Sequence, residues 1–157
     1  MQDEARRYLE QSIALAQANV AAGGEPFGAV LVRGGEVIAT GVNETAATHD
    51  PTAHAEMVAL RSAARRLGSP DLSGCTVYAS GHPCPMCLAA MRISGVDAVL
   101  YAYSDADSAA HGLSTAAIYE DLARPFAQQT MRIGHLPVRL AGVDDLYGDW
   151  LARQPGR

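Results

Sequence analysis

No stretch of this sequence approaches the roughly 18 consecutive apolar residues a helix needs to cross a bilayer. Nor does it open on a basic and then apolar leader. It begins Met1-Gln2-Asp3-Glu4, and the expectation is a chain without a secretory signal that works in the cytoplasm. Basic charge is short as well. Twelve Lys and Arg against seventeen Asp and Glu leave a net charge of −5. That balance argues against a nucleic-acid-binding protein, because such binding rests on neutralising phosphates. Arg61, Arg65 and Arg66 stand close together, but at helical spacing they read as a solvated face. Cysteines are few and odd in number, three in all. Without a secretory signal this speaks against a disulfide framework and turns attention to a metal or a reactive thiol.

What remains is the composition of a folded protein. The chain has 157 residues, 48% of them hydrophobic and 18% charged, enough for one domain that buries roughly two-thirds of its unfolded surface. Leu9, Ile13, Ala16 and Val20 recur at helical spacing until Gly23-Gly24. Residues 29–32 and 37–40 are apolar runs flanking the turn Arg33-Gly34-Gly35-Glu36, which predicts a hairpin. Asp50-Pro51-Thr52 is a helix start signal, followed by Met57, Leu60, Ala64 and Leu67 on one face and a stop at Gly68. The second half predicts strands at 75–79, 98–102 and 138–141, and helices at 85–94, 115–122 and 146–153. A hairpin followed by alternating helices and strands implies one α/β domain over residues 1–157, with a mixed sheet and helices on both faces.

Two segments carry chemistry: Pro51-Thr52-Ala53-His54-Ala55-Glu56 and Pro83-Cys84-Pro85-Met86-Cys87. Cysteines three apart at a helix start share a face and can grip one ion. The positive end of that helix favours the thiolates a metal needs. His54 also opens a helix, so two helix N-termini can converge on one point, and thiolate with imidazole suits zinc. Three protein ligands leave the fourth tetrahedral position free, the mark of a catalytic site, where zinc acidifies water from pKa ~15.7 to ~7. Glu56 is the candidate to move the protons. One geometric obstacle stands: residues i and i+2 of a helix point to different sides, so His54 and Glu56 meet only if the first turn itself is the meeting point.

Other readings of the same residues are open at this stage. Cys-X-X-Cys alone also describes a redox pair. A structural zinc would need a fourth ligand, for which Cys75 and His82 are the candidates. A zinc-stabilised binding module without turnover is a third reading, against which Glu56 stands, since a structural site has no use for an acid that is not a ligand.

Together, His-x-Glu followed by Pro-Cys-x-x-Cys resembles the zinc deaminases of the cytidine-deaminase superfamily. Pro26-Phe27-Gly28-Ala29-Val30, Gly41-Val42-Asn43 and the run 50–56 are most similar to the bacterial guanine deaminases and their nucleobase-deaminase relatives. That resemblance implies a three-layer αβα sandwich on a five-stranded mixed sheet, a homodimer, and one zinc per subunit held by His54, Cys84 and Cys87. It implies that Glu56 is the proton shuttle, that Asn43 and the Ala55 N–H read the ring edge, and that Phe27 walls the pocket. It sets Asp107 where guanine deaminases carry a further functional aspartate. The implied substrate is a free nucleobase: guanine or a related aminopurine, aminopyrimidine or aminotriazine.

The sequence also departs from that pattern. His82 stands where the family has Glu, and Ile93 replaces an aromatic. The C-terminal Gln154-Pro155-Gly156-Arg157 lacks an aromatic ending, and Gly142 falls where guanine deaminases carry a late glutamate, with Asp144 and Asp145 nearby. The expectation is therefore activity on free bases with guanine a modest substrate. Transfer-RNA adenosine deaminases share the run 50–56 and are the alternative, but a chain of net −5 is poorly equipped to hold an RNA loop.

Overall fold

The protein is described as a computed structural model covering residues 2–143 and 145–154. The first helix, α1 (Gln2–Ala21), leads into the hairpin β1 (Gly28–Arg33) and β2 (Glu36–Val42). A single turn, α2 (Thr45–Thr48), precedes α3 (Ala55–Leu67), and β3 (Cys75–Gly81), α4 (Pro85–Ile93) and β4 (Ala98–Tyr103) follow. Short helices α5 (Asp105–Ala109), α6 (Ala116–Leu122) and α7 (Leu146–Ala152) and a 3-10 turn at Phe126–Gln128 complete the described elements. The chain divides into two compact units, Met1–Ala123 and Arg124–Arg157. Among the described residues no helix is long and apolar enough to cross a membrane.

The sheet belongs to the first unit and runs β2-β1-β3-β4. β1 pairs antiparallel with β2 and with β3, and β3 pairs parallel with β4 through the α4 crossover. β1 is buried on both faces, and its alternation splits two cores. Ala29 and Leu31 join Ala55, Ala59, Leu60, Val77, Cys87 and Met91 under α3 and α4. Val30 and Val32 meet Tyr8 under α1.

Two expectations are corrected. The sheet has four strands among the described residues, not five: residues 138–141 form no ladder, and Val138 and Leu140 are exposed. Apolar alternation over four residues makes a strand only where a neighbouring backbone accepts its hydrogen bonds. On α1 the buried stripe is Tyr8, Ser12 and Ala16 rather than Leu9, Ile13, Ala16 and Val20, because α1 crosses β1 at Gly28. A Cβ on Gly28 would run into the Ser12 carbonyl and lie 2.8 Å from the Ala16 nitrogen, so Ser12 and Ala16 form the contact ridge. The start signal Asp50-Pro51-Thr52 builds the turn that leads into α3. Asp50 accepts from the Thr52 N–H at 2.8 Å and from its hydroxyl at 2.6 Å, and the N-cap is His54.

The second unit holds α7, capped by Asp145, which accepts from the Gly148 N–H at 2.9 Å. Gly142 sits in a turn closed by the Val143 N–H on the Leu140 carbonyl, with φ of 82°. Asp144 lies outside the described residues.

Candidate active site

The Asp50–Thr52 turn is pinned from α3. Arg61 donates to the Thr52 hydroxyl at 2.6 Å and pairs with Asp50 at 3.4 Å, so it is part of the scaffold rather than a free solvated charge. Arg66 likewise reaches back to the Ile38 carbonyl at 2.8 Å and to Glu36 at 2.9 Å. The turn delivers His54 as the extended N-cap of α3 (φ −67°, ψ 156°). Cys84 is the N-cap of α4 in nearly the same conformation (φ −70°, ψ 164°), with Pro85 as the first helical residue. Pro is favoured there because its fixed φ suits the helix and its missing N–H would have had no partner.

The two N-caps meet. His54 Nδ1 lies 3.4 Å from Cys84 Sγ and 3.7 Å from Cys87 Sγ, and the sulfurs are 3.4 Å apart. A tetrahedral zinc with bonds of ~2.3 Å to sulfur and ~2.0–2.1 Å to nitrogen sets its sulfurs about 3.8 Å apart and each sulfur about 3.6 Å from the nitrogen. The triangle therefore fits zinc in both size and donor chemistry. Among the described residues the metal-competent group has these three members. Cys75 is fully buried at the opposite end of β3, six residues or roughly 20 Å along the strand from Gly81. His82 is held elsewhere. Its ring packs edge-on against Tyr101 (5.1 Å) and Tyr119 (5.6 Å), and its Nδ1 is buried without a partner.

Glu56 sits in the first turn of α3, buried, with Oε2 accepting from the Cys87 thiol at 3.5 Å. Burial pushes its carboxyl above the usual range, and the neighbouring Cys84 charge pushes the same way. In the metal-free site the hydrogen bond between the two sulfurs pulls the Cys84 thiol down to about 4. The same contact and burial push Cys87 up. The Cys84 thiolate in turn raises His54. Such a cluster takes up a divalent cation by giving up protons.

Asn43 is buried beside this group, and its amide is oriented by its partners. Oδ1 accepts from the Thr45 N–H at 3.1 Å and its hydroxyl at 2.8 Å, which leaves Nδ2 to donate to Glu25 at 3.1 Å. Ala55 is the first residue of α3 and fully buried. Its N–H is one of those a helix start leaves without an intrahelical partner. Phe27 packs on the α3 core and also lines a 790 Å³ cavity on the α1 side with Ile13, Val20, Tyr103, Asp107 and His111. Neither His54, Glu56, Cys84 nor Cys87 lines that cavity. Asp107 stands apart from the metal-competent group. It is exposed and committed to a capping box, accepting from the Ser104 N–H at 2.8 Å and hydroxyl at 2.6 Å.

Two residues at the site have no signal in periodicity or motif. Glu25 meets Asn43 across a loop. Tyr119 of α6 donates its hydroxyl to the Pro83 carbonyl at 2.7 Å, immediately before Cys84. A hydrogen bond across 36 positions leaves no mark in the sequence.

Comparison with known proteins agrees with this geometry. Residues 2–103 match the family model described as the cytidine and deoxycytidylate deaminase zinc-binding region. The guanine deaminase of Bacillus subtilis (strain 168) is 42% identical over 125 residues, 79% of this chain and 80% of the relative. A crystal structure of guanine deaminase from Bacillus subtilis superposes with a TM-score of 0.85 at 37% identity, covering 97% of this chain and 96% of the other. The tRNA-specific adenosine deaminase of Aquifex aeolicus (strain VF5) is 37% identical over 98 residues, covering 62% of this chain and 65% of the relative. With most of its length matched and a histidine and two cysteines set for zinc, the chain is a zinc-dependent deaminase and belongs to the cytidine and deoxycytidylate deaminase zinc-binding family.

Proposed function

We propose that this deaminase acts on free nucleobases, hydrolysing a ring C–NH2 to C=O with release of ammonia. His54, Cys84 and Cys87 hold the zinc, and Glu56 moves the protons. The observation that carries this reading is the convergence of a buried carboxylate on a three-ligand triangle, since a structural zinc has no use for it. Likeness to the Bacillus subtilis guanine deaminase over nearly the whole chain supports a purine-sized base.

The zinc, when bound, supplies Lewis acidity toward the attacking water. Glu56 takes one proton from that water as its oxygen bonds the ring carbon. It then gives the proton to the amino nitrogen as the C–N bond breaks. Ammonia leaves and the second water proton stays on the product lactam. Desolvation of Glu56 raises its basicity and suits it to both halves of the transfer. Asn43, through Nδ2, and the Ala55 N–H bind acceptors on the ring, Phe27 closes one side of it, and Asp107 orders the α5 loop beside Phe27. An ammonia-release screen over guanine, cytosine, adenine, isoguanine, 8-azaguanine, ammeline, nucleosides and a tRNA anticodon stem tests the reading. Turnover confined to nucleosides or tRNA refutes it.

The working form is a homodimer. β4 and its surroundings expose Leu100, Tyr101, Tyr103, Ile118 and Leu122, with Ile93 at 88%, a larger apolar area than single surface residues provide. Light scattering on the zinc-loaded protein should give twice the 16.5 kDa chain mass. The working compartment is the cytoplasm, where Cys84 and Cys87 stay reduced as ligands.

A further inference from the structure

The loop between α1 and β1 is fastened at three points. Asn19 of α1 donates from Nδ2 to the Glu25 carbonyl at 2.8 Å and to the Asn43 carbonyl at 2.9 Å, tying the loop to the end of β2. Gly24 permits this, because a Cβ there would lie 2.5 Å from Asn19 Nδ2 and 2.8 Å from Cγ. The Glu25 side chain then turns back and accepts from Asn43 Nδ2 at 3.1 Å. The same Asn43 segment reaches the metal centre through its neighbour, since the Glu44 N–H donates to the carbonyl of Ala53, the residue before His54.

The orientation of Asn43 makes this arrangement directional. The Thr45 N–H can only donate, so Oδ1 faces Thr45 and the NH2 faces outward. One hydrogen of that NH2 goes to Glu25, and the other is available to a ligand. A carboxylate has two oxygens and about four acceptor sites. Glu25 spends one on Asn43 and is exposed, so it keeps acceptor capacity beside the Asn43 donor. A donor and an acceptor side by side complement a C=O and an N–H side by side. That pair is the lactam edge of an oxo-base.

On the reading that Asn43 binds the substrate ring, we propose that Glu25 is a specificity-determining residue. Its carboxylate accepts the ring N–H next to the carbonyl that Asn43 reads, and the site selects aminopurines and aminotriazines that carry a lactam over those that do not. This supplies, from the N-terminal loop, a carboxylate for the ring edge in a chain with Gly142 late in its sequence. Adenine and 2-aminopurine have no carbonyl and no N–H on the six-membered ring, so they gain nothing from Glu25.

The test uses zinc-loaded wild type, Glu25→Gln and Glu25→Ala, with guanine and 8-azaguanine as lactam bases. The comparison base, 2-aminopurine, is followed as substrate or as competitive inhibitor. Both variants should lose about 10-fold or more in kcat/KM on the lactam bases, carried mainly in KM, as fits loss of a hydrogen bond to a charged group. The constants for 2-aminopurine should move less than about twofold. The glutamine variant separates recognition from structure. Gln must offer its oxygen to Asn43, which puts its own NH2 against the substrate N–H, so the structural bond survives while recognition is lost. Wild-type kinetics in Glu25→Gln, or equal losses on both base classes, overturns the proposal. Should wild type release ammonia from no base, the free-base reading fails, and calorimetric titration with hypoxanthine still decides the role of Glu25. Binding that both variants weaken upholds it, whereas no wild-type binding, or binding the variants leave unchanged, overturns it.

Discussion

Gly41→Ala should damage the active site through backbone packing, without altering a catalytic or metal-binding side chain. Gly41 lies where β2 passes beneath α3. A Cβ there would collide with the Ala55 carbonyl and stand 2.7 Å from the Ala59 nitrogen and 3.0 Å from the Val58 Cβ. These neighbours are helix backbone, which cannot swing aside. Ordinary contact begins near 3.4 Å, so clearing the Ala55 carbonyl, the nearest of these, takes a retreat of about 1 Å. Overpacking of this kind costs about 1–3 kcal/mol, or about 2–12 °C in Tm for a chain of this size. The same helix starts with His54, Ala55 and Glu56. Catalytic geometry tolerates about 0.5 Å, and a displacement of about 1 Å costs on the order of 10²-fold. The expectation for Gly41→Ala is therefore a kcat loss of roughly 10- to 100-fold. Gly28→Ala is the control: it meets α1 at 2.8 Å from the Ala16 nitrogen and 2.9 Å from the Leu15 Cβ, on the face without the metal centre. It should lose similar Tm but about tenfold less kcat. Equal kcat losses in the two variants, or wild-type kcat in Gly41→Ala, would refute the idea that β2–α3 packing sets the site.

Glu56→Gln should keep its zinc and lose at least ~10²-fold in kcat, read by metal analysis and steady-state ammonia release. The metal-free variant should also melt higher than wild type at pH 8 and equally near pH 4. Folding raises the Glu56 carboxyl, so its stabilising contribution is present below the unfolded value of ~4.3 and is lost as pH rises through the folded one. In the native zinc-loaded protein all three thiols should resist alkylation. Chelation should expose Cys84 and Cys87 to the reagent, while Cys75, fully buried and raised by that burial, should react only on unfolding. Tyr119→Phe removes the hydroxyl that holds the Pro83 carbonyl and should speed zinc release to a chelator about 2- to 10-fold, with metal-free Tm little changed. Equal Tm losses with and without zinc would assign Tyr119 to general stability instead.

Much of the fold is legible because its elements are locally punctuated. Gly34 and Gly35 take positive φ in the hairpin turn, Gly68 takes it at the end of α3, and Pro85 opens α4. The failures lie where a partner decides. Residues 138–141 have the alternation of a strand, but a ladder needs a second backbone that composition does not reveal. The buried face of α1 is set by a glycine on another element, and helical periodicity alone locates a stripe only to within a residue or so. Asp107 shows the converse. Ser104-x-x-Asp107 is a local capping signal, and the structure forms that capping box.

The site is legible for a different reason: its residues sit where a helix begins, and beginnings relax the rules that periodicity imposes. Within a helix, His54 and Glu56 would point about 200° apart. As N-cap, His54 is extended, and its side chain leaves the helical wheel altogether, while Glu56 keeps its place in the first turn. Cys84 repeats the device on α4 and so meets Cys87 across a single turn. Two extended N-caps converging from two helices explain why the chemistry fits into His-x-Glu and Cys-x-x-Cys at all. They also explain why both helices point their positive ends at the metal, where thiolates gain most from them. Glu25 and Tyr119 lie outside that logic. Each reaches the site through a loop or a long-range contact, one against Asn43 and the other against the turn before Cys84. Substitution at either position leaves His-x-Glu and Cys-x-x-Cys intact, so Glu25 can be changed to alter the base taken without changing the reaction.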